Sequence, residues 1–148
     1  HPAGRVTPGD ERAPDLQPAM SFTSRILQVK TLPAGTGVSY GRTFQTHKQT
    51  RLAVVPVGYE DGYSRALSNR GHVLVHGYSA PILGRICMNM CMIDVNDIEG
   101  VLPGDEVVLL GCQGPENITA DDIAEKMGSI SYEVLCLLGN NNQREYIE

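Results

Sequence analysis

Two of the four cysteines, Cys87 and Cys91, lie close together in the stretch GRICMNMCMID. Cysteines at short spacing can bind a metal, form a disulfide or carry a reactive thiol. On an extended strand, residues four apart are separated by roughly 13 Å, so these thiols could share a metal ion only if the chain turned between them. Cys112 and Cys136 lack a partner at the spacing typical of zinc sites. Alternation with isoleucine and methionine instead favours buried apolar packing, and we predict no metal site.

A second candidate for chemistry is Tyr40, in the stretch GVSYG of residues 37–41. The glycine that follows it leaves little neighbouring bulk, so the phenol could project into a cleft. A phenol titrates near pH 10, and it can accept a proton near neutrality only if a neighbouring cation or hydrogen-bond network lowers that pKa. Tyrosines in turns also commonly serve as structural anchors through the hydroxyl group, and the residues of this stretch do not decide between the two roles.

A third candidate is the loop VGYEDGYSR of residues 57–65, which follows a strongly apolar run. Loops held by a rigid scaffold commonly carry function. The polar side chains of this loop suit the rim of a pocket: Tyr59, Glu60, Asp61, Tyr63 and Arg65. Asp61 and Gly62 form a typical turn dipeptide, which favours a structural role for Asp61.

Short apolar stretches, most of them β-branched or alternating, surround these candidates. The run RLAVVPVG of residues 51–58 indicates a strand that is buried on both faces. Turn signals separate such stretches at intervals of about 8 to 12 residues, which predicts an antiparallel barrel or sandwich. From Thr119 the period changes to that of a helix: Thr119 is a good N-cap, and Gly128 a natural C-terminal cap. A second short helix, capped by Ser131, is expected to end at Gly139. The predicted fold is therefore mainly β, an antiparallel β-barrel-like domain with one or two short C-terminal helices.

The composition excludes several classes of function. With 148 residues and 41% apolar side chains, the chain can form one domain with a real core. A net charge of −5 without a basic stripe argues against nucleic acid. No apolar run approaches the roughly 20 residues of a membrane helix, so we predict no membrane association. Few cysteines and no leader sequence indicate a cytoplasmic protein. Residues 1–20, rich in Pro, Gly and Asp, are typical of a linker, as if the chain were part of a longer one.

Five motifs, in this order and spacing, resemble the C-terminal domain of alanine racemases. They are GVSYG, VPVGYEDGYSR, GRICMNMCMIDV, LPGDEVVLLG and ISYEVLC, and the resemblance runs from about Pro18 to Cys136. It implies that residues 1–20 are the remnant of a linker from a missing N-terminal barrel, and that residues 21–148 form the C-terminal β domain. It also implies a pyridoxal 5'-phosphate (PLP) enzyme that interconverts L- and D-alanine as a homodimer, with the cofactor bound by the missing N-terminal domain.

The resemblance also assigns roles to individual residues. Tyr40 would be the catalytic base that acts on L-alanine, opposite a lysine of the barrel, in an active site completed by the other subunit. The backbone N–H of Met88 would bind the substrate carboxylate, and Tyr59 would line the same pocket. Arg65 and Arg85 would border the corridor through which substrate enters. On this interpretation Cys87 and Cys91 have no chemical role.

The sequence departs from the family pattern in three respects. Asn89 stands where the family usually has Asp, and the C-terminal end reads NNNQREYIE where relatives commonly read RVPR. A tyrosine close to the cofactor phosphate in many relatives would correspond to a residue near Asn140. The only lysines are Lys30, Lys48 and Lys126, and none lies at a position resembling that of the cofactor lysine. We therefore expect no covalent bond between the cofactor and this chain, assign no residue with certainty to cofactor binding, and expect no activity from the chain alone.

Three alternatives remain open. A serine racemase of the same family would show much the same motifs. A free-standing, non-catalytic β-barrel binding module could use the same scaffold, because a fold does not determine a function. The weakest alternative is a thiol or metal protein built on Cys87 and Cys91.

Overall fold

The structure, a computed structural model, describes residues 18–39, 41 and 44–147. Most of the predicted linker and Tyr40 therefore lie outside the described residues. The strands of the described part are β1 Phe22–Arg25, β2 Gln28–Leu32, β3 Gly37–Val38, β4 Phe44–Gln45, β5 Thr50–Val55, β6 His72–Val75, β7 Tyr78–Leu83, β8 Cys91–Asp94, β9 Glu106–Gln113 and β10 Glu116–Ile118. Two helices follow them, α1 Ala120–Met127 and α2 Ser131–Asn141.

One antiparallel sheet contains most of these strands, in the order β1-β9-β6-β7-β8-β5-β2, with β10 paired to β9. The hydrogen-bonded ladder is open between β1 and β2, which are consecutive in the chain but lie at opposite ends of the sheet. Between them, the Ile26 N–H donates to the Asp105 carbonyl and the Leu27 N–H to the Val54 carbonyl, each at 2.9 Å. One short segment thus joins both ends of the sheet. The mainly β, antiparallel prediction is confirmed, and the sheet is barrel-like without being fully closed.

Strand β5 is buried on both faces, as its apolar run predicted. Ala53 and Val55 face the main core, whereas Leu52 and Val54 belong to a smaller cluster on the other side of the sheet. That smaller cluster includes Val38, on β3. The hairpin of β3 and β4, which leads into position 40, is therefore anchored to the back of the central sheet by apolar packing.

The first helix matches its prediction closely, and the second differs in its bounds. Thr119 caps α1, with its hydroxyl accepting from the Asp122 N–H at 3.0 Å, and Gly128 ends it in the left-handed conformation. For α2 the N-cap is Ile130 rather than Ser131, and the helix continues past Gly139 to Asn141. Gly139 does not end α2 because it is buried against other parts of the molecule, next to Arg144 and Met20. None of the described helices is long and apolar enough to cross a bilayer.

Candidate active-site cleft

An open cleft of about 330 Å³ lies where the chain leaves β5 and where it links β7 to β8. Its lining consists of Tyr59, Arg65, Arg85, Ile86, Cys87 and Met88. The structure thus brings together four of the five predicted site residues, from two separate segments of the chain. Among the described lining residues, two are arginines and none is acidic. In a protein with a net charge of −5, this makes the cleft suited to a small anion.

The first segment is a tight 3-10 turn, Tyr59–Asp61, directly after β5. The Asp61 carboxylate accepts from the Gly58 N–H at 3.0 Å, and so closes the turn. Gly62 then reverses the chain with φ 86°, a left-handed conformation that glycine adopts without strain. Asp61 is therefore a structural residue of the turn, in agreement with its position in a turn dipeptide.

Backbone hydrogen bonds join this turn to the second segment. The Tyr59 N–H donates to the Cys87 carbonyl at 3.0 Å, and the Glu60 N–H donates to the Met88 carbonyl at 2.8 Å. The approach is so close that a Cβ atom on Gly58 would lie 2.1 Å from the Cys87 oxygen. Position 58 therefore requires glycine because of space, not because of its backbone conformation.

The Met88 amide is left available by this arrangement. The chain turns between Cys87 and Met90, where the Cys87 N–H donates to the Met90 carbonyl at 2.9 Å. Among the described residues, no acceptor receives the Met88 N–H. The Met88 side chain is 53% exposed, so this part of the loop is open to solvent. A fixed backbone donor beside two arginines is a suitable binding site for a carboxylate.

The two arginines are held in different ways. Arg65 begins a short 3-10 turn that is capped by the Ser64 hydroxyl and anchored by the buried Leu67. Its guanidinium lies 6.0 Å from the centre of the Tyr59 ring, within the range of a cation–π contact. Arg85 is half-buried, and its carbonyl accepts from the Ser39 hydroxyl at 2.6 Å.

The residues on either side of position 40 both contact Arg85. Besides the Ser39 hydrogen bond, a Cβ atom added to Gly41 would lie 3.0 Å from Nη1 of the Arg85 side chain. Gly41 also has φ 78°, which favours glycine. Tyr40 itself is outside the described residues, so its predicted role stays a prediction.

Some candidates of the sequence do not reach the cleft. Tyr63 is 2% exposed, and burial raises the pKa of its phenol well above the ordinary value, so it belongs to the core and not to the rim. Cys91 is buried in β8, and burial raises the pKa of its thiol to about 12, which leaves it unreactive near neutrality. Cys87 lines the cleft from a turn, not from a strand.

No metal centre emerges from the part of the chain that the structure describes. All four cysteines are free, and the described residues contain no group of three His, Cys, Asp or Glu side chains that could hold a metal ion. None of the three lysines lines the cleft. Lys30 and Lys48 are exposed, and Lys126, in α1, contacts His72.

Sequence reasoning missed the residues that fix the cleft's shape. Gly58 could have been suspected from its place directly after an apolar strand. Ser68 and Asn69 support the second segment, accepting from the Ile86 and Gly84 N–H groups at 2.9 and 2.6 Å. Nothing in the sequence around these two residues signals a partner some fifteen or more residues away.

The fold and the cleft define an antiparallel β domain with a cleft between two surface loops, whose arginines suit a small anion. A family model described as alanine racemase, C-terminal domain, matches residues 19–146. The chain belongs to this family.

Individual relatives agree with that assignment. An alanine racemase from Halothermothrix orenii is 52% identical over 132 residues, which cover 89% of this chain and 35% of the relative. Among solved structures, an alanine racemase from E. faecalis matches with a TM-score of 0.84 and 40% identity, covering 96% of this chain and 38% of that one. An alanine racemase from Bartonella henselae with covalently bound pyridoxal phosphate matches with a TM-score of 0.79 and 32% identity, over 86% of this chain and 34% of that one. The chain thus spans only about a third of the length of these relatives.

Proposed function

We propose that this chain is the C-terminal domain of a PLP-dependent alanine racemase, an isomerase that interconverts L- and D-alanine in the cytoplasm. In this proposal an N-terminal barrel precedes residues 21–148, and the enzyme is a homodimer in which this domain completes the active site of the other subunit. The observation that carries the proposal is that Met88 and Arg85 line one cleft, and that both neighbours of position 40 lie next to Arg85.

The substrate carboxylate is the group that the cleft suits best. The Met88 N–H is a donor that cannot titrate. Its peptide group is held in place because the Cys87 carbonyl of that group accepts from the Tyr59 N–H. Such a preorganised donor stabilises a negative charge that persists throughout turnover. Arg65 and Arg85 add a positive potential that attracts an anionic substrate into the cleft, and Tyr59 gives one wall an apolar ring beside the Arg65 guanidinium.

Proton transfer is assigned to the Tyr40 hydroxyl. Racemisation removes a proton from one face of the substrate and adds one to the other, so two groups on opposite sides are needed. Tyr40 would serve one face, and a lysine of the barrel the other. Contacts of Ser39 and Gly41 with Arg85 support this role, because they bring both neighbours of position 40 next to a residue that lines the cleft.

The cofactor would be bound by another part of the enzyme. Pyridoxal phosphate, when bound, acts as the electron sink for the carbon that loses its proton. The cleft lining offers no lysine for a covalent bond to it, so the described residues do not fit the cofactor itself. They fit the substrate's carboxylate, which is the contribution that a completing domain would make.

The experiment that tests this proposal is the replacement Tyr40→Phe in the full-length enzyme. Losing a general base should slow the conversion of L- to D-alanine by at least about 100-fold. Initial rates of D-alanine formation from L-alanine, measured with a D-amino-acid oxidase assay, give the effect. Tyr78→Phe is a matched control because Tyr78 is 64% exposed on β7, away from the cleft lining.

Two results would contradict the proposal. One is unchanged turnover in Tyr40→Phe. The other is racemisation by the 148-residue chain alone with added pyridoxal phosphate, because the proposal assigns cofactor binding to the barrel. Preference for serine over alanine in the full-length enzyme would keep the mechanism and change the substrate, whereas absence of any racemase activity would favour a binding module.

A further inference from the structure

Asn142, directly after α2, forms two hydrogen bonds that join separate parts of the molecule. Its carboxamide Nδ2 donates to the Asp61 carbonyl at 2.7 Å and to the Leu138 carbonyl at 2.8 Å. The second bond satisfies a carbonyl in the last turn of α2, where helical partners are lacking. The first bond reaches the 3-10 turn that carries Tyr59. One side chain therefore ends the helix and ties it to the rim of the cleft.

The surroundings of this contact are tightly packed. A Cβ atom on Gly62 would lie 2.2 Å from the Leu137 carbonyl oxygen, so the end of the 3-10 turn rests directly on the backbone of α2. The Arg144 Nε–H also donates to the Gly139 carbonyl at 3.2 Å, which folds the segment after α2 back onto the helix. The position of the turn is thus set from its rear by α2 and by Asn142.

From that turn, a continuous set of hydrogen bonds leads to the Met88 amide. The carbonyl of Asp61 binds Asn142, and its carboxylate binds the Gly58 N–H. In the same turn, the Tyr59 N–H donates to the Cys87 carbonyl, which shares a peptide group with the Met88 N–H, and the Glu60 N–H donates to the Met88 carbonyl. A shift of the turn would therefore move the peptide groups on both sides of the cleft.

We propose that Asn142 is a positioning residue for the cleft, which holds Tyr59 and the Met88 loop in the geometry that binds a carboxylate. This inference rests on the proposed function for its substrate. It also gives the NNN segment, which departs from the pattern common in relatives, a specific task in this chain. Asn142 touches neither the cleft lining nor, in this proposal, the substrate.

The chain provides a matched control in the neighbouring residue. The Asn141 Nδ2 donates to the Leu137 carbonyl at 2.6 Å, one turn earlier in the same helix. Asn141 thus makes the same kind of bond at the end of α2, and among the described residues its side chain has no bond to the 3-10 turn. Comparing Asn142→Ala with Asn141→Ala separates the link to the cleft from the simple capping of a helix.

The test is carried out on the full-length enzyme. In Asn142→Ala, we expect the KM for L-alanine and the inhibition constant of butyrate, a carboxylate without the amine, to rise about 5- to 10-fold, with a much smaller change in kcat. Asn141→Ala should leave both constants within about 2-fold of wild type. Asn142→Gln retains the carboxamide and should recover part of the loss. It also serves as the test variant if Asn142→Ala does not fold.

A second measurement does not depend on catalysis. With 13C-methyl-labelled methionine, the Met88 methyl signal should shift in Asn142→Ala and not in Asn141→Ala. If the wild-type enzyme racemises alanine and Asn142→Ala behaves like Asn141→Ala in all three measurements, the assignment of Asn142 is wrong. If the wild-type enzyme fails to racemise alanine, the proposed function is wrong, whatever the methyl signals show.

Discussion

The central sheet and the rim of the cleft are stabilised by different interactions. Strands β5 to β9 bury side chains such as Val55, Val73 and Ile93, each with 0% exposure, so the sheet is held mainly by removal of apolar surface from water. The rim, formed by the Tyr59–Asp61 turn and residues 84–90, is held by backbone hydrogen bonds, by glycines without room for a side chain, and by the carboxamide of Asn142.

The sheet should therefore tolerate substitutions better than the rim does. Apolar packing is non-directional, and it accepts many side chains of similar volume. A hydrogen-bonded peptide group, in contrast, is fixed in direction and distance. In the proposed function, substrate binding depends on where the Met88 N–H points. The geometry of this rim depends on residues that do not line the cleft, such as Gly58 and Asn142.

The largest expected effect concerns the sheet. Ile93, on β8, lies opposite Ala53 of β5 and Ile82 of β7. Ile93→Ala should lower the free energy of unfolding by about 2–5 kcal/mol, because it removes buried apolar groups and leaves a cavity. Urea unfolding of the chain, followed by circular dichroism, measures the loss. Ile147→Ala, at a residue that is 87% exposed, should change it by less than about 0.5 kcal/mol, and equal losses in the two variants would contradict our description of the core.

The next effect concerns the rim. Gly58→Ala forces a methyl group against the Cys87 carbonyl, which we expect to destabilise the chain by about 1–3 kcal/mol and to separate the two segments. Substrate binding by the full-length enzyme should weaken as well. Gly100→Ala is the control, because nothing lies within 4 Å of its Cβ position and only its φ of 71° opposes the change. A KM for alanine that stays at the wild-type value in Gly58→Ala would show that this contact does not set the geometry of the cleft.

The smallest effect is a pH dependence of stability that arises at the start of β6. His72, at the start of β6, is bonded to Lys126 of α1, and burial together with that cation lowers its pKa from the ordinary value of 6.5. The unfolded chain then binds the proton more readily than the folded one. Stability is therefore unaffected above about pH 6.5, and it declines as the pH falls from there towards the lowered pKa.

Replacing the histidine should remove that decline. In His72→Gln, the free energy of unfolding should vary less between pH 6.5 and 5 than in wild type, measured by urea unfolding at each pH. Lys126→Met removes only the second cause of the lowered pKa, so its free energy of unfolding should vary with pH to an intermediate extent. If the free energy of unfolding varies with pH as much in His72→Gln as in wild type, the decline comes from other groups.

The difference between the sheet and the rim also explains what the sequence could predict. Strand β5 and helix α1 were predictable because their signals are local: a continuous apolar run in one case, a capping residue and a terminal glycine in the other. The end of α2 was not predictable, because Gly139 is packed against Arg144 and Met20, and this tertiary contact overrides its tendency to end a helix.

Within the site, the resemblance to a family predicted the individual residues. Chemical reasoning alone predicted only which kinds of side chain a site would need. Tyr59, Arg65, Arg85 and Met88 line one cleft, and the roles assigned to them stay predictions. The supporting residues Ser68, Asn69 and Asn142 escaped prediction because each acts through a partner far away in the sequence, and no local pattern encodes such a partner. The expectation for Tyr40 stays a prediction.

The short link between β1 and β2 has a consequence for how the protein assembles. In β1, Phe22 lies opposite Leu110 of β9, whereas β2 pairs with the much nearer β5. During synthesis on the ribosome, the first strand must therefore wait until most of the domain has emerged. Contacts of such long sequence separation slow folding, and the final docking of β1 acts as a late step that completes the sheet.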